Sequence, residues 1–286
     1  MKTRKLFWAL VPVFALFAVS CNPDDKKGKE PDVPVDESRI IASIQYDDNL
    51  YGGDYTAFFY YDEKGRVVKI EDENEYGKAT VTVTYSENEV RVSEKGENYP
   101  STGLIYELDA SGKALSMVAI FDDEINVGSK FLYNTDGTMS SFCVEPYNYE
   151  EGEFGDVPEL SINVEYKWKD GNLVTALASI MGYDFERGDR TYSDIPNDTN
   201  LDLNSLICLS DFSYDVTNTD YDGELFGIYG KRSDNMLSSD IWDKEEICKY
   251  EYELDDQERI VKIEVYSSYS DAETELEGTY YINYMK

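Results

Sequence analysis

Tyr60-Tyr61-Asp62-Glu63-Lys64-Gly65-Arg66-Val67-Val68-Lys69-Ile70 reads as a strand, a turn and a second strand in one unbroken run. An aromatic arm leads into Asp62, whose carboxylate suits the first position of a type I turn. Gly65 can take the left-handed conformation that closes that turn. Arg66 to Ile70 leave as a β-branched arm, and simple alternation puts Val68 and Ile70 on one face with Val67 and Lys69 on the other. The unit returns in Tyr252-Glu253-Leu254-Asp255-Asp256-Gln257-Glu258-Arg259-Ile260-Val261-Lys262-Ile263, where Asp, Arg, Val, Lys and Ile match position for position. Glu258 stands there in place of Gly65. If the turn keeps its geometry, Glu258 is a left-handed non-glycine residue costing about 1 kcal/mol; a different turn type would avoid that. Tyr106 to Leu115 form a third copy and Phe131 to Met139 a looser fourth, while Lys169-Asp170-Gly171-Asn172 carries the Asp-Gly signature of a tight hairpin. The turns at 65, 112, 137, 171 and 258 share no fixed spacing, which excludes a solenoid or a propeller.

Short alternating runs surround these hairpins, from Arg39–Tyr46 to Leu173–Ile180 and again from Ile247 to Tyr284. Lys78-Ala79-Thr80-Val81-Thr82-Val83-Thr84-Tyr85 is the clearest, with threonine or lysine against apolar residues, as a half-buried antiparallel strand requires. No second Pro/Gly linker divides residues 39–286, so they are expected to form a single antiparallel β domain. Residues 181–244 break the alternation and are expected to be a helical or irregular insertion. Within them Asn197 to Asn204 offer capping residues ahead of Leu206, Ile207 and Leu209, which predicts a short helix near 202–209. Gly227 to Leu237 follow as a glycine-bracketed connector.

The first residues give an address. Lys2, Arg4 and Lys5 precede a short apolar core, Leu6 to Phe17, interrupted by Pro12 and too short to span a bilayer. Ala18-Val19-Ser20-Cys21 resembles the lipobox of bacterial lipoproteins, which implies a signal peptide over 1–20 and lipidation of Cys21. Leucine is commoner than Ala18 at its position, but the small Ser20 fits. Residues 21–38 then hold three prolines among charged and polar groups and are expected to be a flexible tether. Asp24-Asp25 resembles the surface-export signal of Bacteroidetes lipoproteins, against the plainer reading of a solvated linker. The implied location is the outer membrane, lipid-anchored and facing the outside of the cell.

Taken together, the lipobox, the Tyr-x-x-Asp-x-x-Gly-Arg hairpins, Asn200-Leu201-Asp202-Leu203-Asn204-Ser205-Leu206 and Gly230-Lys231-Arg232-Ser233 resemble Bacteroidetes surface lipoproteins of unknown function with a porin-like fold. The hairpin unit by itself also resembles the Tyr-Asp repeats of large bacterial surface toxins. The lipoprotein resemblance implies a strongly curved antiparallel meander, an open or partial barrel, with a short helical insertion; it implies no catalytic activity. Charged residues on strand faces, such as Lys69 and Glu71 or Lys262 and Glu264, argue against a bilayer-facing band.

Composition narrows the chemistry. The chain has no histidine and a formal net charge of −33. Histidine-based nucleophiles, acid–base pairs and metal sites are therefore excluded. The acidity argues against nucleic acid and anionic membrane surfaces as partners. Two-carboxylate glycoside hydrolysis survives in principle, but no pair among 59 acidic residues stands out. No cofactor is expected. Asp198, Asn200, Asp202 and Asn204 alternate like a calcium loop, yet Leu203 and Leu209 occupy the positions that need glycine and glutamate; turn and cap roles account for them. Cys143, Cys208 and Cys248 read as small buried side chains, with one disulfide of unspecified connectivity as the alternative.

The expected role is non-enzymatic binding or scaffolding, with an extracellular glycan or protein as ligand and tyrosines as stacking platforms. The alternative is a carrier of a hydrophobic or lipid ligand inside the curved sheet. Lys231-Arg232 has two readings: an anion-binding spot beside Gly227 and Gly230, or an internal clamp that pins the connector to the sheet.

Overall fold

The computed structural model describes residues 37–50, 53–74, 77–97, 101–121, 124–148, 153–154, 162–180, 183–207, 223, 225–242, 246–269 and 273–286. The signal peptide, Cys21, Asp24, Asp25, most of the tether and Cys208 lie outside them.

Each hairpin is built around its aspartate. Asp62 Oδ1 accepts the backbone N–H groups of Lys64 (2.9 Å) and Arg66 (3.0 Å), while Oδ2 accepts Nε and Nη2 of Arg66 (2.9 and 2.6 Å). Asp255 holds Gln257 and Arg259 in the same way. Gly65, Gly112 and Gly137 close their turns at positive φ, and Glu258 adopts φ 58° at the equivalent place, so the turn does keep its geometry. At Asp170-Gly171 both residues have positive φ, as the tight hairpin turn requires.

The strands these turns connect are β1 (Ile41–Asp48), β2 (Tyr55–Tyr61), β3 (Val67–Asn74), β4 (Gly77–Tyr85), β5 (Glu89–Gly96), β6 (Thr102–Leu108), β7 (Ala114–Phe121), β8 (Glu124–Tyr133), β9 (Met139–Asn148), β10 (Glu153–Phe154), β11 (Ile162–Lys169), β12 (Asn172–Ile180), β13 (Tyr183–Pro196), β14 (Asn235–Trp242), β15 (Glu246–Leu254), β16 (Ile260–Tyr269) and β17 (Glu275–Tyr284). Each pairs antiparallel with its sequence neighbour, except that β9 pairs directly with β11 and the two-residue β10 rests on β9 alone. β1 also pairs with β17 from Ile41↔Tyr284 to Asp48↔Gly278. Among the described residues the meander thus closes into a 16-strand barrel rather than remaining open or partial.

Closure is aided by a β-bulge at the root of every Asp-type hairpin. The register slips between Tyr60 and Tyr61, Glu107 and Leu108, Leu132 and Tyr133, Lys167 and Trp168, and Glu253 and Leu254. One extra residue per hairpin bends and twists the sheet, as curvature demands. It also alters the expected alternation: Val67 and Ile70 are both buried, and Val68 is the partly exposed bulge residue.

The bulged ends share one rim and are stitched together. Hydroxyls of Tyr61, Tyr133, Tyr192, Tyr252 and Tyr284 donate to the carbonyls of Ile41, Ala114, Leu173, Leu237 and Ile260, each at or near the start of the preceding strand in the sheet. Trp168 Nε1 does the same to Met139. The basic residue after the turn then lies over the aromatic ring two strands on: Arg66 over Tyr85 at 4.1 Å, Lys113 over Tyr133 at 4.8 Å and Arg259 over Tyr284 at 4.6 Å. The repeated Tyr…Asp…Arg spelling is thus a rim device.

Inside and outside differ sharply. Ile44, Phe59, Ile70, Val81, Val92, Leu104, Met117, Val164, Ile263 and Ile282 face a continuous apolar core. Outward positions carry charge on strand after strand, including Lys69, Glu71, Lys78, Arg91, Glu107, Glu165, Lys167, Lys249, Glu251 and Lys262.

Two strands, β13 and β14, occupy the stretch read from sequence as a 181–244 insertion. Their inward positions mix the buried polar Arg187, Arg190 and Asp240 with the apolar Met236 and Leu237, and register shifts interrupt their pairing. Both features erase the apolar alternation that marks a strand. Only 197–234 is the true insertion. Its helix α1 (Leu203–Ile207) matches the predicted one over those residues; 208 and 209 are not described.

Candidate functional site

The insertion packs into the barrel at the stitched rim. Asp202 caps α1 by accepting the N–H of Asn204 at Oδ1, and Leu203, Leu206 and Ile207 at helical spacing bury the apolar face of the helix with Leu201, Leu225 and Ile228. Hydrogen bonds tie this plug to strands around the wall. Asn200 Oδ1 accepts Ile41 N of β1, Asn204 Oδ1 accepts Leu237 N of β14, and the Leu206 carbonyl accepts the Tyr280 hydroxyl of β17. Gly223 N donates to the Tyr106 hydroxyl of β6, Ala114 N of β7 donates to the Ile228 carbonyl, and Lys231 N donates to the Gly137 carbonyl. Asp198, for its part, pairs with Arg39. The four side chains of the calcium-like alternation therefore point to separate partners, as turn and cap residues do.

Lys231 and Arg232 separate on the plug. Arg232 Nη2 donates to the Thr199 carbonyl at 2.6 Å and faces Asp202, whose carboxyl is raised by full burial and drawn back down by that guanidinium. Lys231 stays half-exposed, with Nζ 3.3 Å from Asp234. Gly230, at φ 88°, brings the backbone so close that a Cβ there would lie 2.4 Å from the Gly137 carbonyl.

Both basic residues line a cavity of about 60 Å³ beneath the plug. Its wall combines Arg190, Asp202, Asn204 and Ser233 with the faces of Phe131, Phe142, Tyr166, Trp168 and Tyr229. Arg190 and the aromatic lining carried no signal in the sequence, because Arg190 lies in the stretch without alternation and the aromatics look like ordinary strand residues.

Two further cavities interrupt the core. One of about 400 Å³ lies against Arg66, Tyr85, Leu108, Leu201 and Phe226. Another, of about 300 Å³, lies among Tyr46, Trp242, Glu246, Cys248 and Glu277, beside the buried Arg187–Asp240 pair. Burial, then the neighbouring Glu277, raises the Glu246 carboxyl, and burial pushes the Cys248 thiol up to about 12. Cys143 is partly exposed and Cys248 is buried.

On the outer wall, Phe58, Tyr60 and Tyr281 are exposed aromatics, 46%, 44% and 38% accessible, as Tyr183 and Tyr269 are at their strand ends. The first three occupy β2 and β17 on either side of β1, where Ser43 pairs with Phe58 and Gln45 with Tyr281. Matching ion pairs border them: Lys69–Glu71, with the Tyr60 hydroxyl also on Glu71, and Lys262–Glu264, with the Tyr266 hydroxyl on Glu264.

These features define a closed antiparallel barrel with a charged outer wall and a plugged, apolar interior. Among solved structures it resembles a porin-like protein from Bacteroides uniformis, at 14% identity and TM-score 0.63, over 86% of this chain and 98% of that one. It also resembles a porin-like protein from Bacteroides vulgatus, at 15% identity and TM-score 0.57, over 86% of this chain and 99% of that one. At these identities the likeness is one of fold. No protein-family model and no curated protein matches the chain by sequence.

Proposed function

We propose that the protein is a lipid-anchored surface protein of the outer membrane that binds an extracellular glycan or protein without catalysis. Cys21 carries the acyl chains, Asp24-Asp25 direct export, and the barrel stands in water at the end of the tether. The observation that supports this reading is the polarity of the wall. Charges such as Lys69, Lys167 and Lys262 point outward, and a lipid-facing Arg or Lys costs about 2–4 kcal/mol at the bilayer midplane. The outer aromatics Phe58, Tyr60 and Tyr281, with amide and carboxylate groups around them, suit stacking against sugar rings. A carrier of a hydrophobic ligand is the second reading, and the cavities of about 400 Å³ and 300 Å³ are where such a ligand would lie.

The test combines location and ligand. Labelled fatty acid should enter the wild-type chain and not Cys21→Ser, and protease added to intact cells should remove it. A glycan array should return a signal that Tyr281→Ala weakens. Equal labelling of both chains, or protection until lysis, rejects the display; co-purified lipid with a blank array favours the carrier instead.

A further inference from the structure

We infer that the cavity beneath the plug is a binding site for a short carboxylate with an apolar tail, a site separate from the outer wall and independent of where the protein is displayed. Three observations carry it. The first is charge: in a chain of net charge −33, three basic residues, Arg190, Lys231 and Arg232, line one cavity whose lining holds a single acid, Asp202. Guanidinium groups donate paired hydrogen bonds to carboxylates, and Ser233 adds a hydroxyl to the same wall.

The second is the rest of the lining. Met117, Phe131, Phe142, Tyr166 and Trp168 offer apolar and aromatic surface, which an inorganic anion would not use and a hydrocarbon tail would. A mostly apolar pocket with a few convergent polar groups is the usual form of a small-molecule site.

The third is size. One water needs about 10–15 Å³ of such space, so a cavity of about 60 Å³ holds roughly four to six non-hydrogen atoms. A carboxylate of two to four carbons meets that limit; a long-chain fatty acid does not. Half-exposed Lys231 marks the solvent side, where an anion would enter beside Gly230.

The full chain, purified from its host in a non-ionic detergent, is titrated with butyrate, butyramide, butylamine and octanoate, with sodium chloride as the ionic control. Thermal melting and the ¹⁵N indole resonance of Trp168, whose N–H lies at the cavity on the Met139 carbonyl, are read together. Butyrate should shift both saturably, and butyramide and butylamine should bind at least about tenfold more weakly. Octanoate should not move the indole. Phe142→Trp, which fills the cavity, should abolish the butyrate response while leaving the circular dichroism unchanged. The proposal falls if butyrate acts no more strongly than chloride, if the amide or amine binds equally well, if octanoate gives the same indole shift, or if folded Phe142→Trp still binds butyrate. Should that variant fail to fold, the wild-type ligand series and the Trp168 resonance decide the matter alone.

Discussion

The Tyr133 hydroxyl at the end of β8 donates to the Ala114 carbonyl at the start of β7, 2.7 Å away. Lys113 lies over the ring of the same tyrosine, 4.8 Å from its centroid. One side chain thus joins two strands and the turn beside them, and the arrangement recurs around the rim. Tyr133→Phe keeps the ring and loses the hydrogen bond, so stability should fall by about 0.5–1.5 kcal/mol, read as a lower denaturant midpoint with an unchanged slope. Tyr133→Ala should cost several-fold more, because the ring packs against the core.

Glu258 is the repeat's one departure from glycine at the closing position, and it sits at φ 58°. Glu258→Gly removes a left-handed strain of about 1 kcal/mol while adding backbone freedom to the unfolded chain. A net gain below about 1 kcal/mol is expected, measured by thermal melting. A loss would mean that the glutamate side chain contributes something the turn geometry does not reveal.

Arg232 faces the buried carboxylate of Asp202 and holds the Thr199 carbonyl. Arg232→Ala leaves Asp202 its hydrogen bonds from Asn197 Nδ2 and the Asn204 N–H but removes the guanidinium and the bond to the Thr199 carbonyl, and should cost about 1–3 kcal/mol. Burial already raises the Asp202 pKa, and losing the guanidinium raises it further. A carboxyl with a raised folded pKa binds its proton more tightly folded than unfolded. The variant should therefore regain stability as pH falls through that raised value, and lose it again as pH rises. Asp202→Asn added to Arg232→Ala should recover part of the loss and remove this pH dependence, which melting curves across pH would show.

Gly278 lies at the seam between β17 and β1, where a Cβ would meet the Tyr46 ring at 2.3 Å. That ring lies tilted against Tyr280 at 4.6 Å and Tyr55 at 5.5 Å, which leaves it little room to move. Gly278→Ala should cost about 1–3 kcal/mol through overpacking. Tyr46→Ala in the same chain should relieve most of the added clash, so a double-mutant cycle should show strong coupling.

Strands and turns were legible wherever local chemistry decided them. The Asp62 and Asp255 hairpins, the Thr-Val alternation of β4 and the start of α1 each follow from capping, left-handed glycine or a period-two pattern within a few residues. The buried polar positions of β13 and β14 were not legible, because burying Arg187, Arg190 and Asp240 is tolerable only when partners arrive from elsewhere in the chain. The candidate cavity was half legible: Lys231-Arg232 stood out as a basic pair in an acidic chain, whereas Arg190 and Trp168 did not.

What the sequence determined by itself is the hairpin unit, the antiparallel β class and a wall whose outer face is charged, since all three reside in short-range spacing and composition. Tertiary structure decided that β1 meets β17, that the bulged meander closes into a barrel and that α1 and residues 225–234 pack against its rim. The reason is physical. Closure depends on twist accumulated over many strands and on contacts such as Tyr280 with Leu206, which join residues far apart in the chain and leave no periodic mark between them.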